Sequence, residues 1–244
     1  MRLIKTLGQA GGGFLQVVRS GLFRPCCPLC GRDLVQHDEH VICRDCREKI
    51  RPAAENQCPV CGRFVPEEVA ACASCLLEPP PFDRHVAYAA YEATLREAII
   101  LFKYGEIEPL KHLLAELCLE AFRWRMPGRF DAVVPVPADR GRRRGFQPVR
   151  AMGGILSRRL GIPYWPRALR KKKSTAPQVG LSLAQRRTNL DGAFELVAAG
   201  KLAGRNVLLL DDVTTTGTTI RKCAAVLRKG GARVSVITLA QTRY

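Results

Sequence analysis

Val207-Leu208-Leu209-Leu210-Asp211-Asp212-Val213-Thr214-Thr215-Thr216-Gly217-Thr218-Thr219 decides the fold class. Four consecutive apolar residues leave no polar face, the pattern of a strand buried on both sides of a parallel sheet. Two adjacent carboxylates follow, then a hydroxyl-rich turn with one glycine, then a helix pattern over Thr218–Lys229 closed by Gly230 and Gly231. Such a turn offers backbone N–H groups and Thr hydroxyls to an anion, and the helix dipole adds to them. A plain series of N-capping threonines would not need two charged side chains at the end of a buried strand. The carboxyl ends of such strands are where α/β sheets bind ligands. No Gly-Lys-Ser/Thr follows, so this is not a P-loop.

Outward from this segment, strands and helices alternate. Ala87–Tyr91 reads as a strand, and Thr94–Tyr104 and Pro109–Arg125 as helices with apolar residues at helical spacing. Asp131–Val134 is a short strand ended by Pro135 and Pro137. Pro148–Leu160 is a helix stopped by Gly161 and Pro163, and Leu183–Leu190 a shorter one. Asn206–Leu210 and Arg233–Ala240 complete the strands. The expected fold class is α/β with a mostly parallel sheet.

Upstream, the chain changes character. Nine of its eleven cysteines lie between Cys26 and Cys75. Cys27-Pro28-Leu29-Cys30-Gly31 returns as Cys58-Pro59-Val60-Cys61-Gly62, and the pair Cys43 and Cys46 returns as Cys72 and Cys75. Paired Cys-x-x-Cys knuckles place sulfurs about 2.3 Å from one zinc ion, and two repeats predict two structural Zn²⁺ sites. Candidate ligands are Cys27, Cys30, Cys43, Cys46, Cys58, Cys61, Cys72 and Cys75; the spacing leaves open which pair shares which ion. Cys26 reads as a bystander, Cys118 and Cys223 as core. The expected organisation is an N-terminal extension (1–25), a double zinc ribbon (26–78), a Pro-rich linker (79–82) and the α/β domain (83–244).

Of 244 residues, 39 are Lys or Arg and 22 Asp or Glu, a formal charge of +17. Arg123–Arg187 alone carries seventeen basic residues against Asp131 and Asp139. A solubilising surface would mix its signs, so this block points to a phosphate-rich partner. Arg140, Arg142, Arg143 and Arg144, with Lys171, Lys172 and Lys173, are the candidate contacts to a phosphodiester backbone or to pyrophosphate. No window approaches the roughly 18 apolar residues of a membrane span. The apolar start is broken by Gly11, Gly12, Gly13 and Arg19, so no signal peptide is expected. Metal-bound thiolates then suit a reducing cytoplasm.

The Asp211–Thr219 segment resembles the 5-phosphoribosyl-1-pyrophosphate (PRPP) motif of type I phosphoribosyltransferases. The resemblance implies that Asp211 and Asp212 contact the ribose hydroxyls. It implies that Thr214, Thr215, Thr216, Gly217, Thr218 and Thr219 hold the 5-phosphate, with Mg²⁺ entering on the pyrophosphate. Purine-salvage members carry Asp where this chain has Thr215, so a hypoxanthine-type reaction is not expected. As a whole the chain resembles the ComF family (ComFC and GntX-like proteins). Carrying that likeness are the cysteine repeat before the Pro-rich linker, Phe102-Lys103-Tyr104-Gly105, and Val134-Pro135-Val136-Pro137 before Arg142-Arg143-Arg144-Gly145-Phe146. Thr175, Gln178 and Leu181 leading into Arg187, Asn189 and Phe194 complete it. Gln147-Pro148 stands where the family has Asn-Gln.

The resemblance implies a phosphoribosyltransferase-like domain binding PRPP or a similar phosphosugar, and single-stranded DNA, during DNA uptake in natural transformation. DNA-uptake or recombination proteins are the implied protein partners. The competing reading is an active phosphoribosyltransferase with a nucleobase or amine acceptor, its basic loops gripping pyrophosphate. A zinc-mediated docking module would explain the ribbons alone.

Overall fold

The computed structural model describes residues 25–34, 41–54, 56–138, 145–172, 192–197 and 202–243. The chain divides into two compact units, Met1–Ile50 and Arg51–Tyr244. The change from ribbon to sheet expected at Pro79–Pro81 therefore falls inside the second unit, with four of the cysteines on its ribbon side.

In the first unit, Cys26 and Asp33 form a bridge that closes a tight knuckle. Gly31 turns it at φ 74°, in the left-handed region that favours glycine. A short helix, α1 (Arg44–Lys49), carries Cys46 inward. The second unit begins with a near-copy: Gln57 bridges Phe64, Gly62 sits at φ 70°, and α2 (Ala73–Leu77) carries Cys75.

The sheet follows, in the order β1 (Arg84–Ala90), β6 (Arg233–Gln241), β5 (Asn206–Thr214), β2 (Ala132–Pro135). All three pairings are parallel. Helices α3 (Ala93–Tyr104) and α4 (Leu110–Arg125) connect β1 to β2, α5 (Pro148–Leu160) follows β2, and α6 (Thr218–Lys229) connects β5 to β6. Pro148 opens α5 without wasting an N–H, and Gly161 closes it at φ 65°. Val207, Leu208, Leu209 and Leu210 of β5 are all fully buried, as a strand covered on both faces requires. One layer of that core joins Val134, Val207, Leu209, Val234 and Val236 to Ile220, Cys223, Ala224 and Leu227 of α6. Cys118 and Cys223 are buried core thiols.

Two features depart from the pattern reading. The central strand runs four residues beyond Leu210, because Asp211 and Thr214 still pair in register with Thr238 and Gln241 of β6. A separate antiparallel ribbon, β3 (Leu169–Lys171) with β4 (Phe194–Leu196), had no periodic signal. The helix expected over Leu183–Leu190 lies outside the described residues. Among those described, no helix is long and apolar enough to cross a membrane.

Candidate functional site

Because β5 extends to Thr214, its two carboxylates are held within the sheet rather than beyond it. Asp211 is 9% and Asp212 6% exposed. Asp211 Oδ1 accepts the Asp212 N–H at 2.9 Å, and Asp212 Oδ1 accepts the Val213 N–H at 2.6 Å. Lys103, in the last turn of α3, places Nζ 2.7 Å from Asp212 Oδ1. Burial pushes the Asp211 carboxyl up to about 8, the Asp212 charge adds to that, and Lys103 pulls it back. Burial works against the Lys103 ammonium, yet the charge of Asp212 outweighs it and holds the group above its ordinary value.

The turn follows at once. Gly217 adopts φ 74°, so the chain reverses into α6 where a side chain would be strained. The Thr216 and Thr218 hydroxyls lie 2.8 Å apart, and the Thr218 N–H points to Thr216 Oγ1 at 3.4 Å. The first amides of α6 have no carbonyl within the helix and face the turn. Together the carboxylates and the turn line a cavity of about 650 Å³, which Lys103, Tyr104, Phe146, Arg150 and Lys171 also line. Arg150 Nε and Thr214 Oγ1 are buried polar atoms without a hydrogen-bond partner among the described residues. A donor and a hydroxyl left over in an enclosed polar space fit a ligand with several oxygens.

The basic candidates separate. Lys171 is 5% exposed and lines the cavity, with Nζ 5.9 Å from the Phe194 ring centre. Lys172 points outward and is 3.0 Å from Glu195, which also pairs with Arg170. Its charge is thus offset in part by a carboxylate it shares with Arg170. Arg140, Arg142, Arg143, Arg144 and Lys173 lie outside the described residues. Lys103 and Arg150 were not singled out from the sequence as site residues. Lys103 did stand inside a quoted motif, which was the available signal.

The cysteines form two clusters. The sulfurs of Cys27, Cys30, Cys43 and Cys46 all lie within 4.8 Å of one another, as do those of Cys58, Cys61, Cys72 and Cys75. Each set joins consecutive knuckles. The Cys72 N–H donates to Cys58 Sγ at 3.2 Å. Burial alone would raise the Cys58 thiol, but the amides of Cys61, Cys72 and Val60 outweigh it and bring it to about 7. Cys75 is pushed the other way, by burial and then by neighbouring Cys61. Four crowded thiols, some already favouring the thiolate, need a dication to ionise together, and zinc suits this donor set.

Residues 19–76 match the double zinc ribbon domain, and residues 105–243 the phosphoribosyl transferase domain. The chain is 32% identical to "Competence protein F" of Haemophilus influenzae, over 78% of this chain and 85% of that one. The chain belongs to the ComF family. ComF relatives also include "DNA utilization protein YhgH" of Escherichia coli K12, 33% identical over 82% of this chain and 90% of the other. "Competence protein ComFC" of Streptococcus pneumoniae is 26% identical over 85% and 95%. Among solved structures, an adenine phosphoribosyltransferase of Thermoanaerobacter pseudethanolicus aligns at 22% identity and a TM-score of 0.38, covering 58% of this chain and 72% of that one. This ComF chain carries a double zinc ribbon and a phosphoribosyltransferase-type domain.

Proposed function

We propose that the chain binds PRPP with Mg²⁺ in the 650 Å³ cavity and handles single-stranded DNA during uptake, in the cytoplasm. The observation that carries the reading is one continuous run: buried Asp211 and Asp212 on β5, then the Thr215–Gly217 turn, then the start of α6. Asp211 and Asp212 accept hydrogen bonds from the ribose hydroxyls, charge-assisted where the carboxylate is ionised. The Thr214–Thr219 amides and hydroxyls hold the 5-phosphate. Mg²⁺, when bound, neutralises the pyrophosphate charge. Lys103, beside Asp212, and Arg150 also line the cavity and carry positive charge. The names of the relatives and the basic Arg123–Arg187 stretch support the DNA half.

Calorimetric titration with Mg²⁺ and PRPP tests the cavity. Binding by the wild type that is strongly weakened in D211N/D212N, with folding checked by circular dichroism, supports the assignment; unchanged affinity in that variant overturns it. Anisotropy with a labelled oligonucleotide at three salt concentrations tests the DNA half, since each phosphate neutralised adds about −0.7 to the log–log salt slope.

A second reading is favoured by the aromatic rings of Tyr104 and Phe146 on the cavity wall, which suit a planar acceptor. In that reading PRPP is consumed, and pyrophosphate release with a panel of nucleobases and amines separates turnover from binding.

A further inference from the structure

A second cavity, about 870 Å³, lies within the Arg51–Tyr244 unit and shares no residue with the first. Arg84 opens β1, while Met126 and Pro127 leave α4 toward β2. The groove thus sits where the parallel strands begin, opposite the end that carries Asp211–Thr219. Its wall carries Arg84, Arg123, Trp124 and Arg125, against a single acidic residue, Glu68. Among the described residues, none of the three arginines forms an ion pair with a carboxylate. Arg32, Arg159, Arg170, Arg205, Arg228 and Arg243 each do.

Trp124 is 59% exposed, which is unusual for so large an apolar ring. The Arg125 guanidinium stacks on it, 4.1 Å from the ring centre. Arg125 is itself tethered, donating to the Ala53 carbonyl at 3.3 Å while its own carbonyl accepts from Arg84 at 3.5 Å. Capping of the α4 carbonyl end accounts for basic residues in its last turn. It accounts for neither the exposed indole nor the groove beside it. An exposed aromatic platform beside cations that form no ion pair among the described residues is the chemistry that holds single-stranded nucleic acid.

We infer that this groove is a second contact surface for single-stranded DNA, with a base stacked on the open face of Trp124 and flanking phosphates against Arg84 and Arg123. The inference rests on the DNA half of the proposed function and adds a location that the basic Arg140–Lys173 region does not include. A strand held here and near the phosphosugar cavity would contact both ends of the sheet.

The chain has only two tryptophans, Trp124 and Trp165, and Trp165 packs against the core. In a W165F background, Trp124 is the sole reporter. An oligo-dT of about 15 nucleotides, within the site sizes of single-strand binders, should quench its emission in step with the anisotropy signal. W124A should weaken affinity by roughly tenfold and W124F by less, because a base still stacks on phenylalanine. R123Q should flatten the salt slope by about 0.7. Oligonucleotide binding that leaves Trp124 emission and the W124A affinity unchanged overturns the groove while the DNA reading stands. No binding by the wild type overturns both. Equal quenching and affinity with dTMP overturns the strand assignment in favour of a mononucleotide site.

Discussion

Replacing Lys103 by Met keeps most of the side-chain volume and removes the cation that pairs with the buried acids. Removing one partner of a fully buried ion pair costs about 3–5 kcal/mol, since the other charge is left uncompensated. Lys103 keeps 19% of its side chain exposed and Asp212 9%, so water screens part of that loss. A cost of about 2–3 kcal/mol is the working figure. For a unit of this size each kcal/mol moves the melting temperature about 2–4 °C, so K103M should melt roughly 4–12 °C lower at pH 7.5. K103M/D212N should recover most of the loss, since neither charge then remains. Thermal melts of wild type, both single variants and the double variant at pH 7.5 close the cycle. If K103M melts within a degree of wild type, or the double variant is as unstable as the sum of the singles, the pair is not what stabilises this wall.

Metal analysis should give close to two zinc ions per chain, falling to one in C27S and in C58S; only C58S should lower the melting of the α/β unit, whose ribbon it belongs to. Gly217→Ala meets no atom nearer than 3.9 Å, so its cost is the left-handed backbone alone, about 1–2 kcal/mol, read as a lower urea midpoint at constant slope. An alanine variant of wild-type stability would show that the turn relaxes. Asp211 holds its proton in the folded protein to about pH 8 but releases it near pH 4 when unfolded, so the folded state binds more protons between these values. Its contribution to stability therefore falls as pH rises from 4 to 8. D211N should flatten that fall, and an unchanged pH profile would refute the burial of the acid.

The legible parts of this fold were those with a local physical cause. A short apolar run that ends in a Gly-containing turn fits a buried strand, so Val207–Leu210 announced the central strand, and repeated cysteine knuckles have few uses besides metal. Strand length was less legible. Nothing in Asp211-Asp212 says strand; only the continuing ladder to Thr238–Gln241 keeps those residues in it. Lys103 was hidden because a lysine in a helix's last turn already has a bland role against the dipole. Its partnership with Asp212 depends on how α3 returns over the sheet. The β3–β4 pair joins three residues to three across a long sequence gap, too short for any period to register. Trp124 and its arginines read as part of a charge block, and their convergence on one groove needed the sheet to bring Arg84 beside them.

The second ribbon is the clearest case of a local motif acquiring a non-local role. β1 is an edge strand, with backbone groups that would otherwise be open to another chain. The ribbon covers them: the Val60 carbonyl accepts the His85 N–H at 2.9 Å, and the Ala53 N–H reaches the Tyr88 carbonyl at 2.9 Å. Gln57 adds a side-chain bond to the Ala87 carbonyl. His85 then ties the two modules through its ring. Nδ1 lies 2.8 Å from the Cys61 carbonyl, which can only accept, so Nδ1 carries the proton and Nε2 accepts from the Thr238 hydroxyl at 2.9 Å. Burial lowers this imidazole to about 4, so the neutral tautomer persists at physiological pH. Thr238 is the register partner of Asp211. Only His85 and Thr238 thus separate the backbone of a cysteine knuckle from the backbone of the buried acid. An arrangement of that kind makes the ribbon part of the sheet's support rather than an appendage to it.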